Sequence, residues 1–321
     1  MRSVVYRRYG PPEVLELAQA DEPAPRAGEV KVRLCAASVN PLDAKIRAGH
    51  LRLLPTVDRP PRGTGVDFAG EIVATGGDTA GFFPGMRVFG SLSPFRRAGT
   101  CAEFVCVATG RMAPMPDDVT DSVAATLPIA AGTAVQALAD HASLAPGMRV
   151  LVIGAAGGVG HFAVQFANHV GAHVTATCGP TNVAFVASLG ADDVLDYTRE
   201  DVARGGATWD VVLDAAGRSS WRTMRGHLAP DGIYLNTCGD AGVAAATIRD
   251  TLAARLAGRQ RVVALALKGG AAAWRRLARL AGERVLVPHV RATIGLAEVA
   301  VAHRELEAGH GRGKIVVDPS R

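Results

Sequence analysis

The residues with the most legible chemistry lie in one glycine-rich turn, Val150-Leu151-Val152-Ile153-Gly154-Ala155-Ala156-Gly157-Gly158-Val159-Gly160. Four apolar residues run into the turn, and His161-Phe162-Ala163-Val164-Gln165-Phe166-Ala167 follows it. Buried strand, tight turn and helix start, in that order, present backbone N–H groups to a pyrophosphate. Glycine is needed where a Cβ would block the phosphates or hold the helix off the strand. Val159, Phe162, Phe166 and Val170 fall on one helical face, Gly171 ends the helix, and a second strand runs from His173 to Cys178. The turn residues Ala156, Gly157, Gly158, Val159 and Gly160 are therefore the first candidates for binding a dinucleotide.

The nucleotide preference follows from a missing acid. A site that prefers NAD usually carries Asp or Glu about 20 residues past the glycines, on the ribose 2′-OH. From His161 to Ala191 there is none. The second strand ends in Cys178-Gly179-Pro180-Thr181-Asn182, small and polar, which leaves room for a 2′-phosphate, and NADPH is the expected cofactor. No Lys or Arg lies in that stretch, so Tyr197 and Arg199, after the third strand, are the expected O–H and charge. Ala216-Gly217 and Thr237-Cys238-Gly239 follow later strands, on the side of such sheets where ligands bind, and complete the expected cofactor contacts.

Composition bounds the class. The chain has 321 residues, 48% hydrophobic and 20% charged, enough to bury a sizeable core. The N-terminus reads as a strand, and no run of about 18 apolar residues stands out, so the expectation is a cytoplasmic protein without a membrane segment. Five cysteines (35, 101, 106, 178 and 238) form no C-x-x-C pair and read as reduced thiols. The net charge of +5 is scattered, and Trp274-Arg275-Arg276-Leu277-Ala278-Arg279 reads as a solvated helix face, so no nucleic-acid partner is expected. Of 35 basic residues only Lys31, Lys45, Lys268 and Lys314 are lysines.

The elements that must position these residues divide the chain. Up to about 122 the pattern is strands and turns: a hairpin from Val4-Val5-Tyr6 to Val14–Leu17, then Glu29–Cys35, Phe68–Ala74, Arg87–Phe89 and Ala102–Val107. Such a β-rich unit fits a partly open barrel. Residues 123–270 change to helices alternating with strands at Val150–Ile153, His173–Cys178, Asp193–Leu195, Val211–Asp214, Ile233–Asn236 and Val262–Leu267. Six strands in βαβ order predict a doubly wound parallel sheet. Residues 271–321 carry a helix, Ala297–Glu307, and a strand, Gly313–Val317, expected to return to the first unit.

The chain resembles the zinc-free medium-chain dehydrogenase/reductases, most of all the NADPH-dependent quinone oxidoreductases and 2-alkenal (enone) reductases. The resemblance spans nearly the whole chain. It rests on Ser38–Gly49 (SVNPLDAKIRAG), Gly65–Glu71 (GVDFAGE), Gly85-Met86-Arg87-Val88, Ala155–Gly160, Gly190-Ala191-Asp192 with Asp196-Tyr197, and Gly313-Lys314-Ile315-Val316. It implies an α/β fold, a GroES-like β-rich catalytic domain plus a Rossmann domain, with the active site in the cleft between them. It also implies a small-molecule quinone or enone substrate and a homodimer through the last Rossmann strand, around Val262–Leu267.

In zinc relatives a Cys falls near Asn40, and a Gly-His-Glu triplet occupies the place of Gly65-Val66-Asp67. Here the His is Val66, and the four-cysteine structural-zinc lobe is absent, so no metal is expected. Without a metal, a carbonyl must be polarised by hydrogen bonds. The resemblance puts Asn40 at that cleft, or alternatively as a cap on the turn before Pro41. Lys45 stands as a cation for the developing oxyanion or the cofactor ribose, or as a snorkelling surface lysine. Thr133 matches a hydroxyl beside the nicotinamide, or a helix N-terminal residue, and Asp43 caps or orients its segment. Many relatives carry an aromatic just after Gly49, where this chain has His50-Leu51.

Arg52, Arg59, Arg62, Arg96 and Arg97 flank the expected cleft mouth beside a proline-rich loop. They attract an anionic or thioester-bearing substrate, or solvate the rim. Two further functions stay open: reduction of an enoyl thioester, and a sensor that binds NADPH without turnover.

Overall fold

The computed structural model describes residues 1–52, 57–204, 206–237, 241–309 and 311–321, with backbone alone at 241–245 and 257. They form two units, Met1–Gly132 with Lys268–Arg284 and Pro288–Arg321, and Thr133–Leu267 with Val285–Val287.

The first unit opens with β1 (Arg2–Tyr6), β2 (Glu16–Gln19) and β3 (Glu29–Ser38). The expected hairpin forms, but Pro12–Val14 is a 3₁₀ turn, because Pro11 and Pro12 withhold N–H groups from any ladder. Along β3 the buried residues Val30, Val32 and Leu34 alternate, turning one face onto Phe68, Ile72 and Val88. Next come α1 (Pro41–Ala48), β4 (Arg62–Gly63), β5 (Asp67–Thr75), β6 (Arg87–Ser91), β7 (Phe104–Ala108), β8 (Met112–Pro114) and α2 (Asp121–Thr126). Pro41 opens α1 with its φ already set for a helix. Gly49 closes it at φ 84°, where the Tyr9 ring occupies the space a Cβ would need.

A short π turn (Leu127–Ala131), α3 (Gly132–Val135) and a second π turn (Gln136–His141) follow α2. The first unit therefore ends at Gly132 rather than at 122, because α2 packs on β3 and β5 and the Ile129 N–H donates to Asp67. Residues 121–141 are long and apolar enough, by length and composition, to cross a membrane, a stretch the sequence reading passed over because small residues dominate it. Most of that stretch is buried within the protein.

The second unit holds β9 (Arg149–Ile153), α4 (Gly160–Val170), β10 (His173–Cys178), α5 (Val183–Ser188), β11 (Asp193–Asp196) and β12 (Trp209–Asp214). It continues with α6 (Trp221–Met224), β13 (Leu228–Asn236), α7 (Ala241–Ala257) and β14 (Arg261–Ala264). The sheet order is β11-β10-β9-β12-β13-β14, every neighbouring pair parallel. The strand order reverses between β9 and β12, and ligands of doubly wound sheets bind at that switch point.

The chain then returns to the first unit through α8 (Ala271–Gly282), β15 (Val290–Ile294), α9 (Val299–Ala308) and β16 (Lys314–Val317). The strand β16 pairs with the C-terminal end of β3, Val316 opposite Ser38, while β7 covers its N-terminal half. The larger sheet thus runs β15-β16-β3-β5-β6-β8.

Candidate functional site

At the switch point, the turn after β9 is fixed by close backbone packing. Gly154 has φ 80°, and a Cβ there would lie 2.7 Å from the Ala216 Cβ. A Cβ on Gly160 would lie 2.2 Å from the Gly154 carbonyl oxygen, so glycine lets α4 start directly against β9. Gly157 differs, since its Cβ would meet only that same oxygen, at 3.4 Å. The Ala155 N–H donates to the Thr177 carbonyl at 2.9 Å, and the Gly157 N–H to Gly154 at 3.1 Å. The amides of Ala156, Gly158 and Val159 take no acceptor among the described residues. Backbone donors at a helix start, with Gly158 and Val159 half-exposed, suit a phosphate.

At the end of β10, Cys178 is buried and pairs in register with Asp196 of β11. That register brings Tyr197 back across Gly179: the Tyr197 N–H donates to the Cys178 carbonyl at 3.2 Å, and a Cβ on Gly179 would meet the Tyr197 hydroxyl at 3.2 Å. Thr181 and Asn182 lie in the 3₁₀ turn that begins one residue later. Arg199 is highly exposed and reaches Asp196 only at 3.8 Å. The Asp196 Oδ1 is occupied by the Thr198 N–H and hydroxyl.

The loop after β12 is organised by a residue that sequence reasoning missed. Asp214 is fully buried, and its Oδ1 accepts from the N–H groups of Ala216, Gly217 and Arg218 at 3.1, 2.7 and 3.3 Å. Its Oδ2 accepts from the Ser219 N–H at 2.8 Å and the Tyr234 hydroxyl at 3.0 Å. Burial, then Asp214, pushes the Tyr234 hydroxyl far above the usual tyrosine range, so it stays a donor. Thr237 donates through N–H and hydroxyl to the Asp214 carbonyl, while Cys238 and Gly239 lie outside the described residues. The detectable signal was an Asp ending an apolar strand before Ala-Ala-Gly.

In the first unit, Asn40 is 1% exposed and both ends of its amide are taken. Nδ2 donates to Asp67 Oδ2 at 2.9 Å, and Oδ1 accepts from the Lys314 ammonium at 2.6 Å. Asn40 is therefore a positioning residue here, not a donor open to a substrate as expected. Its backbone N–H donates to Asp43 Oδ2 at 2.8 Å, which ties down the start of α1. Lys314, not Lys45, is the lysine that meets Asn40, and it also donates to the Val39 carbonyl at 3.2 Å.

This centre is electrostatically loaded. Burial pushes Asp43 up to about 7, against the pull of the Asn40 N–H. Burial likewise pushes Asp67 up to about 6, resisted first by Lys314 and then by Asn40. Burial holds Lys314 below the usual lysine range, with Asp67 and Asp43 opposing.

Lys45 is half-buried on α1 and meets no carboxylate among the described residues. Thr133 is half-buried on α3, and His50 is exposed. The structure thus gathers Asn40, Asp43, Asp67 and Lys314 in one centre and Ala156–Gly160, Gly179, Tyr197 and Ala216–Gly217 around one sheet edge. Arg62, expected at the rim, is buried instead.

Residues 26–117 match the alcohol dehydrogenase GroES-like domain, and residues 189–317 match the zinc-binding dehydrogenase family. Over 331 residues the chain is 32% identical to the chloroplastic quinone-oxidoreductase homolog of Spinacia oleracea, covering 99% of this chain and 98% of that protein. The chain belongs to the medium-chain dehydrogenase/reductase family. It is also 34% identical over 227 residues to the 2-methylene-furan-3-one reductase of Solanum lycopersicum, covering 68% of this chain and 58% of that one. The solved quinone oxidoreductase of Coxiella burnetii superposes with a TM-score of 0.88 at 30% identity, covering 99% of each chain. This medium-chain dehydrogenase/reductase, with its GroES-like and Rossmann domains, is an oxidoreductase of the quinone oxidoreductase type.

Proposed function

We propose that the protein is an NADPH-dependent, metal-independent reductase of quinones or α,β-unsaturated carbonyls. The observation that carries this reading is the turn Gly154–Gly160, whose half-exposed amides and Cβ-intolerant glycines sit at the switch point of the parallel sheet. Ala156–Gly160 would hold the pyrophosphate, and Ala216–Gly217 with Thr237, fixed by Asp214, would border it. Tyr197 against Gly179, and the exposed guanidinium of Arg199 two residues on, support a 2′-phosphate, and hence NADPH over NADH.

Bound NADPH supplies a hydride to the electron-poor carbon, leaving negative charge on the acceptor oxygen. The Thr133 hydroxyl, on the unit that carries the glycine-rich turn, is the donor proposed to stabilise that charge. Metal independence is supported by the donor set. Val66 has no ligand atom, the Asn40 amide is spent, and the Lys314 ammonium 2.6 Å from it would repel a dication. A homodimer through the open edge at β14 fits α7, which exposes Ile248, Leu252 and Leu256 at helical spacing. Light scattering at monomer mass would remove that part.

The test is an NADPH-oxidation screen over quinones, enones and enoyl thioesters, with and without chelator. Turnover of a quinone or enone, indifferent to chelator, is expected. Turnover of thioesters alone would make it an enoyl-thioester reductase. Tight NADPH binding without turnover of any acceptor would make it a binder.

A further inference from the structure

Beside α1 the first unit gathers buried polar groups from four elements. Asp43 and Arg47 stand one turn apart on α1, and His303 and Glu307 one turn apart on α9. The Arg47 guanidinium bonds the Glu307 carboxylate, which joins the two helices. Tyr6 and Arg62 face each other across the β1–β4 ladder. The Gly10 N–H donates to the Arg47 carbonyl at 3.2 Å, so the chain leaving β1 runs along the end of α1. Tyr6 lies within electrostatic reach of Arg62, Asp43 and Arg47, and His303 within reach of Arg47.

These groups are buried and short of partners. Tyr6 and Arg47 are 1% exposed, His303 0%, Asp43 3% and Arg62 5%. The Tyr6 hydroxyl, Nε and Nη1 of Arg47, Nε of Arg62, Oδ1 of Asp43 and both ring nitrogens of His303 meet no hydrogen-bond partner among the described residues. The remaining atoms are taken: Arg62 turns Nη1 and Nη2 to the carbonyls of Asp58, Pro94 and Arg96, and Asp43 Oδ2 accepts the Asn40 N–H. A buried polar atom left unpaired carries its full desolvation penalty, and such atoms in native proteins are met by protein or by ordered water.

The chemistry of the set selects the partner. Nε and Nη1 of Arg47 and Nε of Arg62 only donate, and an ionised carboxylate oxygen only accepts. Burial, then Arg47, pushes His303 down to about 3, so its ring is neutral, with one N–H and one bare nitrogen. The partner must therefore accept and donate from one small centre, and a halide only accepts. With Asp43 ionised, two arginines face two carboxylates, Asp43 and Glu307, and no surplus positive charge is left to hold an anion.

We infer that Tyr6, Asp43, Arg47 and His303 form a built site for ordered water, in which water accepts from Arg47 and donates to Asp43 or to the bare nitrogen of His303. Water with about three protein partners is part of the structure and costly to remove. It lets β1, β4, α1 and α9 close over polar groups that do not reach one another. The inference does not depend on the reading of the protein as a reductase.

The test is a crystal structure of the full chain at a resolution that shows ordered water, with a second crystal soaked in sodium bromide. Water is expected within hydrogen-bond distance of Arg47 Nε or Nη1 and of Tyr6, Asp43 or His303. Melting curves give an independent reading. Tyr6→Phe keeps the ring and removes one partner of the water, so its melting temperature should fall by about 2–4 °C. In a dry site the same change removes an unpaired hydroxyl, and the protein should melt at or above wild type. His303→Leu should shift in the same direction as Tyr6→Phe, which decides alone if the leucine protein fails to fold. Protein atoms closing on these groups without water, a bromide peak among them, or a Tyr6→Phe protein at least as stable as wild type would each overturn the inference.

Discussion

The Lys314 ammonium and the Asn40 side-chain oxygen meet at 2.6 Å at a point where neither residue reaches solvent. The bond orients the amide, because an oxygen facing Lys314 leaves the NH₂ facing Asp67. Removing either partner strands the other. Lys314→Met takes away a buried positive charge that both Asp67 and Asp43 feel, and Asn40→Ala leaves Lys314 and Asp67 short of a partner each. Each is expected to lower the unfolding free energy by about 2–4 kcal/mol in chemical denaturation. An Asn40→Ala protein as stable as wild type would show that the network is not held together by this amide.

The same centre predicts an unusual pH response. Asp43 and Asp67, raised to about 7 and about 6, hold more protons folded than unfolded between the usual carboxylate range and neutrality. Stability therefore falls as pH rises through that window, the reverse of an ordinary acid limb. Lys314, held low, acts in the opposite sense at alkaline pH. Melting curves from pH 5 to 8 should show the decline, and Asp43→Asn, which still accepts the Asn40 N–H, should flatten it. An identical slope in Asp43→Asn would assign the titration elsewhere.

Gly157 and Gly160 separate binding from folding. Gly160→Ala puts a methyl 2.2 Å from a carbonyl oxygen between α4 and β9, so the protein should lose about 1–3 kcal/mol or more along with cofactor binding. Gly157→Ala meets nothing closer than 3.4 Å, so the fold should persist while the methyl intrudes where a phosphate would sit. The expected readout is an unchanged melting temperature with NADPH affinity reduced about tenfold or more. Normal affinity in Gly157→Ala would move the pyrophosphate away from this turn.

Cofactor preference is open to reversal at the end of β10. Thr181→Asp should turn preference toward NADH, since its carboxylate repels a 2′-phosphate and accepts from a 2′-OH. Arg199→Ala should weaken NADPH and leave NADH alone. Titrations in which both variants keep the wild-type ratio would place the discriminating groups elsewhere.

The dinucleotide sheet was legible because its inner strands β9, β12 and β13 carry apolar runs buried on both faces, and all six strands lie within a few residues of their expected places. The turn at Gly154 was legible because close backbone approach demands glycine. Lys314 was not, since 274 positions separate it from Asn40 and no local pattern records a partner that distant. Asp214 hid because four of its five donors are backbone amides, which any residue supplies. The π turns beside Thr133 escaped because a window tuned to 3.6 residues sees only a helix.

Because β16 closes against β3, the order of synthesis matters for the first unit. Asp43 and Asp67 leave the ribosome long before Lys314 does. The Rossmann unit lies between them and is free to fold while the first unit waits with two uncompensated carboxylates at its centre. A nascent chain halted before residue 314 would carry a finished nucleotide-binding half tethered to an unclosed β-rich half, a species marked for proteolysis by its own missing lysine.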